Sequence, residues 1–134
     1  MPLVRIDLHS GKEAGFAAKV GAVVYEAMTT TINVPAADNF QVITEHAPGG
    51  IIYDPSYLGI ERGEGIIFIQ ITLNSGRTVE MKKALYALIA TRLHTELGVR
   101  KEDVLISLVE VVKENWSFGD GIAQYAGGDK RQGS

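Results

Sequence analysis

Two short segments of the sequence recur at the same distance along the chain, and this duplication limits the possible folds more than any other feature. The segment Leu8–Lys12 (LHSGK) recurs 65 residues later as Leu73–Arg77 (LNSGR), and Val34–Asp38 (VPAAD) is echoed at the same offset by Val99–Asp103 (VRKED). The two matches share a register and bracket segments of equal length. This pattern is typical of the internal duplication of one supersecondary unit.

The first copy has the pattern of a strand, a helix and a second strand. Apolar and polar residues alternate over Leu3–Leu8, which is the period of a strand with one buried face. Ser10 and Glu13 have the spacing of a capping box and predict a helix that begins just after Ser10. Pro35 predicts the end of that helix, because proline disfavours the helical conformation in the residue before it. Residues 40–45 alternate again and predict the second strand.

The second copy repeats this order. The apolar run Ile66–Leu73 is that expected of a central strand covered on at least one face. Leucine and isoleucine at helical spacing predict a helix from about Thr78 to Leu97, which Gly98 closes as its C′ residue. The fourth strand is predicted over Val104–Val112.

Two such units predict an α/β (α+β) fold, in which a tandem βαβ repeat makes a four-stranded sheet with both helices on one face. Each unit gives a parallel pair of strands with a right-handed crossover. The other face stays bare in a single chain, and apolar residues on both sides of the strands indicate that other subunits cover it. The stretch Ile51–Glu64 and the tail after Glu114 are predicted loops, and residues 129–134 are predicted to be disordered.

The length of 134 residues predicts one domain, with repeat one at about 2–48, repeat two at about 65–112 and a C-terminal aromatic segment at 113–128. The net charge of −3 attracts neither nucleic acid nor an anionic membrane. The sequence shows no bilayer-spanning apolar run and no signal-peptide pattern. Because cysteine is also absent, we expect a cytoplasmic protein without nucleic-acid or membrane partners.

Several common kinds of site lack support in the sequence. His9, His46 and His94 have no carboxylate or histidine at metal-ligand spacing. The triplets 63–65 and 119–121 are isolated GxG turns without the third glycine of a dinucleotide fingerprint. There is no G-x-S-x-G motif for a serine nucleophile. We therefore expect no metal site and no cofactor.

A sparse set of candidate residues remains. If Met1 is removed, Pro2 becomes a terminal secondary amine, and an apolar pocket or a neighbouring cation would bring its pKa near neutral pH. Asp38 precedes the second strand, where it is either a functional carboxylate or a turn residue, as Asp103 would be in the other copy. Arg77 stands before the second helix, where it either binds a carboxylate or is a solvated charge.

The C-terminal segment adds an aromatic group. Trp116, Phe118 and Tyr125 are too many aromatic residues for a solvated tail. They either pack on the core or line a pocket.

Together these features resemble the tautomerase superfamily, and within it the malonate semialdehyde decarboxylase-like group. The resemblance is carried by Pro2 before a strand, the two βαβ units, Val34–Asp38, Ser75–Arg77 and Trp116–Gly119, and it runs to about Asp129. It implies a homotrimer of βαβ repeats. It also implies that a free N-terminal proline performs acid/base chemistry on a small oxo acid.

The resemblance implies a role for each candidate. Pro2 matches the catalytic proline, Asp38 the acidic residue beside it, and Arg77 a carboxylate-binding arginine. An aromatic wall that desolvates the site is matched by three residues: Trp116, Phe118 and Tyr125. The best-known decarboxylase of the group has two arginines around this turn, whereas here Ser75 occupies the substrate-binding position of the first.

By this resemblance the chain is an enzyme, either a tautomerase or a malonate semialdehyde decarboxylase-like lyase, acting on an oxo acid such as 3-oxopropanoate or an enolpyruvate. In tautomerisation, neutral Pro2 shuttles a proton between oxygen and carbon. In decarboxylation or hydration, protonated Pro2 polarises the carbonyl or acts as the acid while Asp38 orients water or substrate. The alternative is a non-catalytic trimeric interaction module with a vestigial proline pocket, which retention of Met1 in the native host would favour.

Overall fold

The computed structural model of the chain describes residues 2–126, so the tail predicted to be disordered lies outside the described residues. The main elements are, in chain order, β1 (Leu3–His9), α1 (Phe16–Thr31), β2 (Gln41–His46), β3 (Ile67–Asn74), α2 (Val79–Leu97) and β4 (Val104–Val111). Within this part of the chain no helix is long and apolar enough to cross a membrane.

The four strands form one mixed sheet in the order β2-β1-β3-β4. β1 and β2 are parallel, with Ile6 opposite Ile43, and β3 and β4 are parallel, with Ile69 opposite Ile106. The two central strands, β1 and β3, are antiparallel. Each repeat thus contributes one parallel pair, and the repeats join along their first strands. The predicted tandem βαβ repeat and four-stranded sheet are confirmed.

Both helices pack on one face of this sheet, as predicted. Alternate residues of the central strands point towards the helices and are fully buried, among them Ile6 and Ile69. They meet the apolar faces of α1 and α2, which contribute Val24 and Ile89 to the same core. Burial of one such aliphatic side chain contributes about 1.5–3 kcal/mol. This layer fixes the sheet against the helices and holds the strand ends in place.

The start of α1 differs from the prediction. The helix begins at Phe16, not just after Ser10, and its N-cap is Gly15. Gly11 and Gly15 both adopt positive φ, 103° and 84°, which an α-helix cannot contain. The capping-box spacing of Ser10 and Glu13 was therefore a false signal. The strand bounds differ from the predicted ones by one residue.

The bounds of α2 follow the prediction closely. Its N-cap is Thr78, whose hydroxyl accepts a hydrogen bond from the Met81 N–H over 3.2 Å. Gly98 closes the helix in the left-handed conformation, with φ of 70°. Both signals act within one turn of the helix end, which is why the sequence alone could place them.

The sheet face opposite the helices carries exposed apolar side chains. Phe40 immediately before β2, Val42 on β2, and Leu105 and Val109 on β4 are all exposed in the single chain. Exposed apolar side chains on the face of a sheet are typical of a contact with another subunit. We call it the outer face.

The two ends of the sheet carry different residues. The site end is the one where β1 begins and β3 and β4 finish. The far end is the one where β1 finishes and β3 begins.

Asp103 lies at the far end with its side chain 4% exposed. Its Oδ1 accepts a hydrogen bond from the Gly63 N–H over 2.8 Å, and its Oδ2 lies 3.6 Å from Nη1 of Arg100. Asp103 therefore ties the loop before β3 to β4.

We predict that Asp103→Ala lowers the free energy of unfolding by about 1–3 kcal/mol, because the part-buried Gly63 N–H loses its acceptor. Urea denaturation measures the change. Glu102→Ala is the matched control, since the Glu102 side chain in the same turn is 52% exposed, and it should change the free energy by less than about 0.5 kcal/mol. Equal losses in the two variants would show that Asp103 has no special structural role.

Candidate active site

The predicted site residues meet at the site end of the sheet. Because β1 and β3 run in opposite directions, the start of β1 lies beside the finish of β3, and Leu3 pairs with Thr72. This register brings Pro2 next to the turn that carries Ser75 and Arg77. The tail that follows β4 reaches the same end and adds Trp116.

Pro2 is buried and lines an apolar pocket of about 190 Å³, which we call the Pro2 pocket. The remaining lining residues come from β1, the residue before β2 and the aromatic tail: Leu3, Phe40, Trp116, Ser117 and Phe118. The Trp116 and Phe118 rings are stacked with centroids 5.5 Å apart, and Tyr125 meets Phe118 edge-on at 4.9 Å. The structure therefore places the three predicted aromatic residues in one cluster beside Pro2.

A buried glutamine holds this aromatic tail in its folded path. Oε1 of Gln124 accepts a hydrogen bond from the Phe118 N–H over 2.9 Å, and Nε2 donates to the Gly119 carbonyl over 3.0 Å. Gly119 has φ of 141°, a conformation that residues with a Cβ rarely adopt. The tail turns back at this glycine, and the rings are thereby held against the sheet.

Arg77 lies in the turn immediately before α2. Its Nε donates a hydrogen bond to the Ile32 carbonyl over 3.0 Å, and Nη1 donates to the Asn74 carbonyl over 3.3 Å. Within the part of the chain that the structure describes, Nη2 donates no hydrogen bond. The guanidinium is therefore held along one edge and can still offer Nη2 to an anion.

The region around Arg77 is an open cleft of about 440 Å³, which we call the Arg77 cleft. Ser75 lies in this cleft, and its backbone N–H donates to the Val111 carbonyl over 3.0 Å. Lys113, from the turn after β4, lines the same cleft and was not predicted. No sequence pattern marks that lysine, because its place depends on where the tail leaves the sheet.

The surroundings of Arg77 act on its pKa in both directions. Burial lowers the pKa of Arg77, while the carboxylates of Asp38 and Glu110 act in the opposite direction. An arginine stays protonated through such changes. Asp38 is half-buried, and its N–H donates to the Pro35 carbonyl over 3.0 Å in the turn before β2. The structure thus places Asp38 within electrostatic range of Arg77.

Asn74 connects the two halves of the site, and the sequence did not reveal it. Its side chain Oδ1 accepts a hydrogen bond from Nε1–H of Trp116 over 2.8 Å, while its backbone carbonyl accepts from Arg77. Asn74 is only 3% exposed. It stands directly before Ser75 in the repeated LNSGR segment, which is the only signal that could have drawn attention to it.

The three histidines lie away from the site end. His9 and His46 end β1 and β2, and His94 is in the last turn of α2. Among the described residues, no group of three or more histidine, aspartate or glutamate side chains could hold a metal ion.

Comparison with protein families and curated proteins gives matches that together span most of the chain. A family model described as "Tautomerase enzyme" matches residues 38–119, and a second model with the same description matches residues 2–60. The chain is 48% identical to Probable tautomerase YusQ of Bacillus subtilis (strain 168) over 124 residues, which cover 92% of this chain and 98% of that protein.

Solved structures of malonate semialdehyde decarboxylases are also similar to this chain. The chain is 36% identical to the FG41 malonate semialdehyde decarboxylase inhibited by 3-bromopropiolate, with a TM-score of 0.84 and coverage of 92% of this chain and 93% of that one. A malonate semialdehyde decarboxylase solved in wild-type, mutant and inactivated forms is 29% identical, with a TM-score of 0.83 and coverage of 91% and 94%. Both likenesses extend over about nine-tenths of the chain.

Proposed function

The chain belongs to the tautomerase family, and from this premise we propose that Pro2, once Met1 has been removed, performs acid/base chemistry on a small oxo acid bound by Arg77. The observation that carries the proposal is the burial of Pro2 in an apolar pocket whose wall residue Trp116 is linked through Asn74 to the half-buried Arg77. An enzyme that moves a proton on a carboxylate substrate needs a proton-transfer group and a cation that binds the carboxylate in the same site.

The Pro2 pocket suits an amine that acts as a base. Apolar surroundings disfavour the charged form of an amine and lower its pKa. A proline amine brought near neutral pH in this way can take a proton from one atom and deliver it to another. The rings of Trp116 and Phe118 supply the apolar wall in this proposal, and Tyr125 supports Phe118.

Arg77 is proposed to hold the substrate carboxylate. Its Nη2 is directed to no other acceptor among the described residues, and a charge-assisted hydrogen bond to a carboxylate is stronger than a neutral one. The Ser75 hydroxyl would add a hydrogen bond in the same cleft. Asp38 is proposed to orient the substrate or a water molecule from the side of β2.

Keto-enol tautomerisation is the reaction that we favour. Neutral Pro2 would take the proton of the enol hydroxyl and deliver a proton to the adjacent carbon, so that the ketone forms with no net loss of protons. An enolpyruvate has the carboxylate and the enol that this step needs. The apolar character of the Pro2 pocket supports this reaction, since it favours the neutral amine.

Decarboxylation or hydration of a 3-oxo acid such as 3-oxopropanoate is the second candidate. The likeness to two malonate semialdehyde decarboxylases at 36% and 29% identity supports it. This chemistry needs a protonated proline, and therefore a pKa that stays above the working pH. The presence of Ser75 in place of a second arginine leaves one cation fewer to raise the affinity for a carboxylate.

The first experiment is a proton NMR screen of small 2-oxo and 3-oxo acids and their enol forms, with protein whose intact mass proves that Met1 is absent. We expect tautomerisation or decarboxylation of at least one acid, and its loss in Pro2→Ala. Full turnover by a sample proven to retain Met1 would exclude proline catalysis, because the Pro2 nitrogen would then be an amide.

The second prediction concerns Arg77. A charge-assisted hydrogen bond contributes roughly 1.5–3 kcal/mol, so Arg77→Ala should lower kcat/KM by about ten- to a hundredfold. Arg77→Lys should recover only part of the loss, because lysine lacks the planar fork. Arg92→Ala, near the other end of α2 in a salt bridge with Glu26 of α1, is the control and should leave kcat/KM unchanged. Equal kcat/KM for Arg77→Ala and wild type on every acid turned over would refute the binding mode.

We also propose that the chain is a homotrimer, assembled through the outer face. The exposed Val42 and Leu105 on that face support the proposal, together with the family resemblance.

Sedimentation equilibrium should give three times the 14.5 kDa of one chain. Val42→Glu should dissociate the trimer, because it places a charge in an apolar contact, whereas Tyr86→Glu on the exposed side of α2 should not. A wild-type mass of one chain at micromolar concentration would remove the proposal.

A further inference from the structure

The antiparallel pairing of β1 with β3 places equivalent residues of the two repeats at opposite ends of the sheet. Arg77 and Met81 line the cleft at the site end. Their counterparts at the 65-residue offset are Lys12 and Phe16, which lie at the far end. A cation in the segment between the first strand and the helix is therefore present in both repeats.

A second cleft, of about 280 Å³, surrounds Lys12, and we call it the Lys12 cleft. It is lined by Leu97 and Gly98, which are the counterparts of Ile32 and Asn33 in the Arg77 cleft. With Lys12 and Phe16, four lining positions thus correspond between the two clefts.

The backbone around the two clefts also repeats. The Ser10 N–H donates to the His46 carbonyl over 2.9 Å at the far end. Its counterpart, the Ser75 N–H, donates to the Val111 carbonyl over 3.0 Å at the site end. The turn that carries each cation is therefore fixed to its sheet by the same hydrogen bond.

The apolar part of the site has a counterpart as well. A pocket of about 240 Å³ lies on the outer face near the far end. Its lining includes the counterparts of three residues of the Pro2 pocket: Phe68 for Leu3, Leu105 for Phe40 and Tyr53 for Phe118. Part of the Pro2 pocket therefore also has a counterpart at the far end.

The charges around Lys12 leave its ammonium available to an anion. Its Nζ lies 5.5 Å from the centroid of the Phe16 ring and has no carboxylate partner among the described residues. The two nearby carboxylates already have partners. Asp103 binds the Gly63 N–H and lies near Arg100, and Glu64 accepts a hydrogen bond from the Tyr53 hydroxyl over 3.3 Å.

We propose that the Lys12 cleft is a second binding site, which takes small carboxylates through Lys12 but performs no proton transfer. The counterpart of Pro2 is Ile67, the first residue of β3, and its nitrogen is an amide without basicity. The ligand class follows from the role proposed for Arg77. The site therefore binds the same kind of acid as the active site and leaves it unchanged.

The test follows malonate binding to the complete protein by two-dimensional ¹H–¹⁵N NMR, with the uncharged malonamide as the control ligand. We expect two sets of shifted resonances, one around Arg77 and one around Lys12. Lys12→Gln should weaken binding in the second set by about tenfold or more, since a charge-assisted hydrogen bond is lost. Lys12→Arg should retain binding, and the matched control Lys19→Gln, on the first turns of α1, should not affect it.

Several results would overturn the proposal. These are the absence of shifts around Lys12, shifts of the same size with malonamide, or equal weakening by Lys12→Gln and Lys19→Gln. A failure of the proposed function gives a different result, since it removes turnover in the oxo-acid screen and leaves malonate binding at Lys12 intact. Pro2→Ala separates the two further: it should abolish turnover and leave both sets of malonate shifts in place.

Discussion

The antiparallel pairing of β1 with β3 decides where every candidate residue lies. Because these strands run in opposite directions, the start of β1 lies beside the finish of β3, and Pro2 comes to the end of the sheet that carries Arg77. A parallel pairing would have left Pro2 beside the loop that precedes β3, at the other end of the sheet from that arginine. The ladder of buried isoleucines in both strands, such as Ile6 opposite Ile69, keeps this register, since a slip of one residue would turn them to the outer face.

The features predicted correctly are those that depend on residues close to one another in the sequence. The α2 helix was placed because Thr78 and Gly98 act within one turn of its ends, and the repeats were found because the offset is constant. The start of α1 was missed because two glycines with positive φ override a capping pattern that is correct in isolation. Asn74 was missed because its partner Trp116 lies 42 residues further along the chain. The antiparallel order of the central strands is likewise a contact between repeats, which neither repeat encodes alone.

The duplication also explains why equivalent residues differ in their roles. Asp103 holds a backbone N–H of the loop at the far end, whereas its counterpart Asp38 acts on the charge of Arg77. His9 bonds the Glu64 carbonyl, whereas its counterpart Asn74 bonds an indole in the aromatic cluster. A chain has one N-terminus, so only one of two fused repeats can supply a proline amine. The other repeat keeps the architecture of the site and is free to change its chemistry.

The hydrogen bond between Asn74 and Trp116 gives the protein a built-in optical reporter. Trp116 is the only tryptophan in the sequence, and its ring forms part of the wall of the Pro2 pocket. Indole emission responds to the polarity around the ring and to the partner of its N–H, so all tryptophan fluorescence of this molecule originates at the site end. Ligand entry, loss of the aromatic wall and unfolding of the tail can each be followed by intensity or wavelength without an added dye.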